Sequence, residues 1–570
     1  MRAAFIALNH RLGFEGLYLK HGFCRPLLVL LPHLAAFAIM AGTEWGPVPN
    51  AAFILTWGIL NFFWLAVMRR PLVAGILSLA MLTVLIVLSK FKYNELNMTA
   101  NFVDVMIIDK DTFGFLFKLY PSLRWSISLS LVALVPIAVL AWRVDPFRVR
   151  RLVALLALPA CVGGLTVLEM QYPFPPFFAF YGGNEVSSFA RSGVDAVSAW
   201  MSQGFLESDP TSRHLPMGTG AACHPATRPP HIILIHDESS FDMRRAPGIK
   251  LPAGYGSHFL SFDGKERNFI VEGQGGPSWY TEYNVLDGLS ARTFGRFAYF
   301  VTRLAAGRVK RGLPAALVRC GYRTFSLYPS PGAFLDERSF QTTAGVQNFL
   351  DSNDLDGPDE NGEPDRFYYN TAADMIGEQH KSGPMFIYVY LEANHFPWDV
   401  PFAPDLTPQW KNPGNGQLVD EYLRRQSASA KEFSDFLARL KRDFPDDSFL
   451  LVRYGDHQPY ITQHLLEPGL NDQTVAQRLM TYDPRYYTTY YAIDAVNFTP
   501  VDVSSALDTL EGPYLPIVMQ EAAGLPLDPS FAEQKRLLIR CKGLFYGCDG
   551  GATARRFNRM LIDAGLIEHL

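Results

Sequence analysis

Five long apolar runs without a charged residue lie near the start of the chain: Pro26–Thr43, Ala51–Met68, Pro71–Ser89, Trp125–Trp142 and Leu152–Leu168. Each has 17 to 19 residues, close to the ~20 that a helix needs to cross the hydrocarbon core of a bilayer. Buried helices of a soluble protein can be this apolar singly. Five in succession predict a bundle of five transmembrane helices. Beyond Gln171 no such run recurs, and most of the charge, glycine and proline follows it.

Basic residues orient the bundle, because Lys and Arg are retained on the cytoplasmic side. Arg2, Arg11, Lys20 and Arg25 precede the first run, Arg69 and Arg70 separate the second and third, and Arg143, Arg148, Arg150 and Arg151 separate the fourth and fifth. Gly42–Asn50 has no Lys or Arg, and the longer Lys90–Arg124 is balanced by Glu95, Asp104, Asp109 and Asp111. The N-terminus is therefore expected in the cytoplasm. An odd number of spans puts the large C-terminal part outside it. No small-residue cleavage site precedes the first run, which reads as an uncleaved anchor.

Composition agrees with two unlike parts. Apolar residues are 48% and charged residues 19% of 570, and the mean hydropathy is +0.05. With 13% aromatics the chain has ample surface to bury, which excludes disorder. A net charge of −4 gives no basic field for nucleic acid. The expected division is residues 1–170 as membrane bundle, 171–229 as linker and 230–570 as catalytic domain. Phe91–Leu123 is too polar to span and is amphipathic. It is expected at the outer interface or over the catalytic domain. Tyr172–Leu215 reads as a connector with a short helix near Val186–Met201, and Ser208–Pro230 as a boundary loop. Of the six cysteines, Cys223, Cys320, Cys541 and Cys548 fall in the exported part. An even number favours two disulfides, with buried thiols as the alternative. No CxxC or close HxxxH pattern supports a zinc finger.

After Pro230, strand and helix patterns alternate. His231–His236 is a continuous apolar strand of the kind covered on both faces. Asn268–Glu272, Tyr322–Tyr328, Met385–Glu392 and Ser448–Tyr454 are similar. Asp420–Arg442 and Arg311–Cys320 carry helical spacing. The alternation predicts an α/β sandwich with a mostly parallel sheet.

Ligands of open α/β sheets bind beyond the carboxyl ends of strands. The residues waiting there are Asp237, Glu238, Ser239 and Ser240 after the first strand, Asp456 and His457 in GDHQP, and His395 with Trp398 in ANHFPW. The glycine-rich EGQGGPSWYTEYNVLDGLS puts Ser278 just before a helix. Glu238, Asp456 and His457 suit Mn2+ or Zn2+. A serine hydroxyl joining them would be activated by the ion, and a helix start suits a phosphoryl group. His395 could bind a phosphate oxygen or protonate a leaving alcohol. Taken singly, an Asp-His pair or a strand-end Glu is more often structural.

The order of these motifs, together with KYNELNMTANFVDVM in the outer loop, resembles the lipoteichoic acid synthase and phosphoglycerol transferase family. Those are membrane-anchored members of the alkaline phosphatase/sulfatase superfamily. The resemblance implies a five-helix all-α membrane bundle followed by an extracytoplasmic α/β sulfatase-like domain in a bacterial inner membrane. It implies one divalent cation (Mn2+ first, Zn2+ or Mg2+ otherwise) on Glu238, Ser278, Asp456 and His457. Ser278 becomes the nucleophile and His395 a substrate-pocket histidine. The family's nucleophile is Thr followed by Ser-Asp-Ala-Glu-Phe, where this chain has Ser278-Trp279-Tyr280-Thr281-Glu282-Tyr283, so Thr281 is a second choice. The family's His, Phe-Trp and Arg head-group stretch matches Tyr328, Phe334-Leu335 and Arg338. Phe334, Arg338 and Trp398 are thus expected at the substrate. No Cys/Ser-x-Pro-x-Arg follows the nucleophile, which disfavours a formylglycine sulfatase. The implied reaction moves phosphoglycerol from phosphatidylglycerol to a periplasmic glucan or other glycan. A phosphoethanolamine transferase, a phosphodiester or sulfuric ester hydrolase, and a catalytically dead scaffold are the rivals.

Overall fold

A computed structural model describes residues 24–96, 99–107, 121–145, 147–173, 182–211, 223, 225, 228–355 and 362–570. Arg2, Arg11 and Lys20, the middle of the Phe91–Leu123 segment, and parts of the connector and boundary loop lie outside the described residues. The chain forms two compact units, Met1–Ser202 and Gln203–Leu570.

The first unit is helical: α1 (Cys24–Thr43), α2 (Pro47–Met68), α3 (Pro71–Leu96), α4 (Phe102–Ile107), α5 (Pro121–Val144), α6 (Arg151–Gln171) and α7 (Glu185–Gln203). Among the described residues, four stretches are long and apolar enough to cross a membrane, Pro47–Met68, Pro71–Asn94, Ile127–Val144 and Arg151–Gln171. In α1, a helix of 20 residues, the apolar stretch found among the described residues is Leu27–Thr43. Small residues let α2 and α6 approach closely. A Cβ on Gly58 would stand 2.7 Å from the Cys161 sulfur, and one on Gly164 would stand 3.0 Å from Leu55. Without a hydrophobic drive between helices in lipid, such contact is what holds them. Large apolar side chains such as Trp125, Leu129 and Leu156 are left exposed, as a lipid-facing surface requires. Polar groups are paired instead: the Asp145 carboxylate accepts from the Leu72 amide at 2.8 Å at the start of α3, and Arg191 and Glu169 are bonded at 2.6 Å.

The second unit is built on one eight-stranded sheet, in the order β4-β3-β5-β1-β6-β7-β2-β8. The strands are β1 (His231–Asp237), β2 (Arg267–Ile270), β3 (Arg323–Leu327), β4 (Asn348–Leu350), β5 (Met385–Tyr390), β6 (Phe449–Gly455), β7 (Thr488–Val496) and β8 (Thr509–Glu511). Only β7 runs against its neighbours β6 and β2. The sheet is therefore mostly parallel, with three strands the apolar pattern did not mark. β4 and β8 have three residues each, too few for a periodicity to register. Four helices matter for the site and core: α8 (Ser278–Asp287), α9 (Glu337–Ala344), α10 (Asp365–Gln379) and α11 (Gln417–Asp443). Strand side chains alternate between faces. Ile233 and Ile235 of β1, Ile387 and Val389 of β5, and Phe449 and Leu451 of β6 pack against Tyr369, Ala373 and Ile376 of α10 and Phe433, Phe436 and Leu440 of α11. Disulfides join Cys223 to Cys320 and Cys541 to Cys548.

Candidate metal and nucleophile centre

β1 and β6 are parallel neighbours in register, with Asp237 opposite Gly455. The next residues, Glu238 and Asp456, are therefore delivered side by side beyond the strand ends. Gly455 makes this possible: a Cβ there would lie 2.1 Å from the Ser240 carbonyl oxygen. Ser239 holds the turn with a positive φ of 52°, an uncommon conformation for a non-glycine residue. It is held there by bonds on both sides. Its amide donates to Asp456 Oδ1 at 2.7 Å, its hydroxyl donates to Glu238 Oε1 at 2.7 Å, and its carbonyl accepts from the Tyr422 hydroxyl at 2.9 Å.

Ser278 is the first residue of α8 and is buried. Its Oγ donates to Glu238 Oε2 at 3.2 Å and lies 3.2 Å from His457 Nε2. His457 Nε2 is 3.2 Å from Asp456 Oδ2 and 3.5 Å from Glu238 Oε1. The other ring nitrogen of His457, Nδ1, faces the Gln458 carbonyl at 2.9 Å. Donation there leaves a lone pair on Nε2, the form that ligates a metal. Zinc–ligand bonds of ~2.0–2.2 Å set donor-to-donor edges of about 3.0–3.5 Å. The separations of His457 from Glu238, Ser278 and Asp456 and of Ser278 from Glu238 fall in that range, so the residues present fit a divalent cation.

One participant was not read from the sequence. His236, fully buried on β1, presents Nε2 to the same carboxylates, 3.2 Å from Asp456 Oδ2 and 3.8 Å from Glu238 Oε2. His236, Glu238 and Asp456 have ligand atoms within 4.8 Å of one another. The available signal was its place two residues before Glu238, on the same face of the strand. Tyr390 also reaches the centre, its hydroxyl 3.4 Å from Glu238 Oε2. Burial alone would raise the Glu238 carboxyl, but His236, His457 and His395 outweigh it and hold the group well below the usual range.

The remaining sequence-selected residues are placed differently. Thr281 is fully buried and its hydroxyl donates to the Asp456 carbonyl at 2.6 Å, so it supports the Asp-His turn and is not an available nucleophile. His395 is exposed, with Nδ1 2.7 Å from the Phe396 carbonyl, which leaves Nε2 as the basic nitrogen. Phe334 stands edge-on to Trp279 of α8, centroids 6.4 Å apart. Trp398 does not present its ring to a ligand as expected. It is fully buried between Tyr422 and Tyr460, and its indole N–H donates to the Asn394 carbonyl at 3.1 Å. Arg338 is likewise committed elsewhere. Its guanidinium binds Asp351 and Asp354 at 2.8 Å and the Phe349 carbonyl at 2.9 Å, a clamp on the segment after β4.

Residues 281–486 match the family model described as Sulfatase. No curated protein matches the chain in sequence. Among solved structures, the chain is similar to the phosphoglycerol transferase GacH of Streptococcus pyogenes in complex with sn-glycerol-1-phosphate. The identity is 16%, over 61% of this chain and 88% of that one, with a TM-score of 0.45. It is similar to the lipoteichoic acid synthase LtaP of Listeria monocytogenes at 16% identity, over 56% and 76%, with a TM-score of 0.39. It is also similar to EptA, the integral membrane lipooligosaccharide phosphoethanolamine transferase A of Neisseria meningitidis. There the identity is 13%, over 83% and 95%, with a TM-score of 0.43.

Proposed function

We propose that this chain, a bundle of apolar helices joined to a unit with a sulfatase-family domain, is a metal-dependent phosphoglycerol transferase. Phosphatidylglycerol is the donor and an extracytoplasmic glycan the acceptor. The observation that carries the reading is the position of Ser278 Oγ. It lies 3.2 Å from both Glu238 and His457, at the first turn of α8. A divalent cation held by Glu238, Ser278, Asp456 and His457 supplies Lewis acidity that lowers the hydroxyl pKa. Mn2+ is the first choice, with Zn2+ or Mg2+ the alternatives.

In the first half-reaction Ser278 Oγ attacks the donor phosphorus. The bond from phosphorus to the diacylglycerol oxygen breaks, and the serine proton ends on that oxygen, with His395 as carrier. In the second, an acceptor hydroxyl attacks the phosphoserine, the Oγ–phosphorus bond breaks, and the proton returns to Ser278. The partly positive N-terminal end of α8 would favour the charge that develops on phosphorus. Apolar helices in the same chain keep the site near a lipid donor and raise its effective concentration.

The test is incubation of the full chain with head-group-labelled phosphatidylglycerol, with mass analysis of the Ser278 peptide and the product. A phosphoglycerol adduct on Ser278 and its transfer to glycan are expected. A phosphoethanolamine adduct would change the head group, release only to water would make the protein a hydrolase, and no adduct would remove the covalent route.

The setting we propose is a bacterial inner membrane, with the N-terminus cytoplasmic and the catalytic unit periplasmic. Two disulfides in that unit support an oxidising compartment. The parity of the spans rests on whether α1 crosses as well as the other four. A reporter fused after Leu570 should be active only outside the cytoplasm; cytoplasmic activity would mean that α1 does not cross.

A further inference from the structure

Among the described residues, His236 is the one histidine with a buried ring nitrogen that makes no hydrogen bond. Its Nδ1 lies 3.0 Å from the Tyr388 hydroxyl and 2.9 Å from the Tyr454 hydroxyl, which are 2.9 Å from each other. Its ring stacks on Tyr390, with centroids 3.8 Å apart. Nε2 makes no hydrogen bond, and neither does Asp456 Oδ2, although they stand 3.2 Å apart and both are fully buried. Where Nδ1–H donates to a tyrosine oxygen, Nε2 offers a lone pair 3.2 Å from Asp456 Oδ2 and 3.8 Å from Glu238 Oε2, in a group whose ligand atoms all lie within 4.8 Å of one another. A buried imidazole nitrogen facing two carboxylates is a place where a cation, a proton or a metal ion, is held. Metal-ligating histidines are held in this way, one nitrogen on the ion and the other fixed by a neighbour.

We propose that His236 is a metal donor of this centre through Nε2, so that two imidazoles, His236 and His457, serve the Glu238–Asp456 carboxylate pair. The inference rests on the metal-centre reading above and sharpens it. Each imidazole added to a carboxylate set moves its preference from Mg2+ and Mn2+ toward Zn2+. A second imidazole would therefore favour Zn2+ over the Mn2+ that the sequence resemblance favours.

The full chain in detergent, stripped with chelator, is titrated with Zn2+ by calorimetry. Its zinc X-ray absorption is recorded at one equivalent. The wild type should show two imidazole rings on zinc and bind Zn2+ more tightly than Mn2+. His236→Phe keeps the ring volume and the Tyr390 stack and leaves Tyr388 and Tyr454 bonded to each other. It should show one imidazole and bind Zn2+ at least about tenfold more weakly. One imidazole in the wild type overturns the proposal, and so does a folded His236→Phe protein with wild-type affinity. The wild-type spectrum decides even if the variant does not fold. A wild type that binds no divalent ion would instead overturn the metal-centre reading itself.

Discussion

The two faces of the central sheet are made from alternate residues of the same strands and do opposite work. On one face Ile233, Ile235, Ile387, Val389 and Leu451 meet α10 and α11 in an apolar layer. On the other, His236 lies opposite Tyr390 in β5 and Tyr454 in β6, and Glu282 of α8 lies within electrostatic reach of His236, Tyr388 and Tyr454. A strand cannot change one face without leaving the other intact, because its side-chain period is two. The fold and the chemistry are thereby separable by single substitutions.

The largest expected effect is on the chemical side. Ser278→Ala should lower transfer by about 10⁴-fold or more while thermal unfolding of the full chain stays where it was. Activity retained by that protein would remove Ser278 as nucleophile. The reverse separation is expected from Leu451→Ala. It deletes buried side-chain volume on the apolar face and should cost about 2–5 kcal/mol of stability. Transfer per folded molecule, measured below the melting range, should be unchanged. A matching loss of turnover would show that the two faces are coupled.

How much of this was legible in the sequence follows the same division. Apolar runs declare the helices of the first unit and strands β1, β5 and β6, because exclusion of charge and polar residues is a strong signal over many residues. Glu238, Ser278, Asp456 and His457 are legible because strand ends and a glycine-rich turn before a helix are local features. What was not legible depends on register and on distant partners. His236 reads as one polar residue inside a core strand until β6 is laid beside it. Thr281 stands as a second choice behind Ser278 until its hydroxyl is seen on the Asp456 carbonyl. The buried Trp398 and the clamped Arg338 differ from expectation because their partners are set by loop packing, which has no period.

A smaller effect, and one with a defined sign, comes from a buried carboxyl behind the nucleophile helix. Glu337 of α9 is fully buried, and burial pushes its carboxyl from an ordinary value near 4.5 up to about 8. Glu282, which accepts from Gln341 at 2.8 Å, is raised as well, by burial first and by Glu337 second. Between the two values for Glu337 the folded chain holds a proton that the unfolded chain has lost. Stability is then greatest below the unfolded value and falls as pH rises through the folded one. At least about 1 kcal/mol should be lost between about pH 6 and pH 9, seen as a falling Tm. Glu337→Gln, neutral throughout, should flatten that slope, and an unchanged slope would move its source to another buried acid.

The smallest effect tests whether the substrate side extends as far as Arg338. A guanidinium that binds the phosphate of a donor head group should raise KM by tenfold or more when removed. The geometry argues otherwise, since Arg338 is shared between Asp351, Asp354 and the Phe349 carbonyl and its side chain is 45% exposed. Exposed ion pairs contribute about 0–1 kcal/mol. Arg338→Ala should therefore lower stability by less than about 1 kcal/mol and leave KM for phosphatidylglycerol unchanged. A tenfold rise in KM with unchanged stability would return Arg338 to the head group. It would also mean that the clamp on Asp351 and Asp354 opens when donor binds, so that the segment after β4 belongs to the chemical side of the molecule.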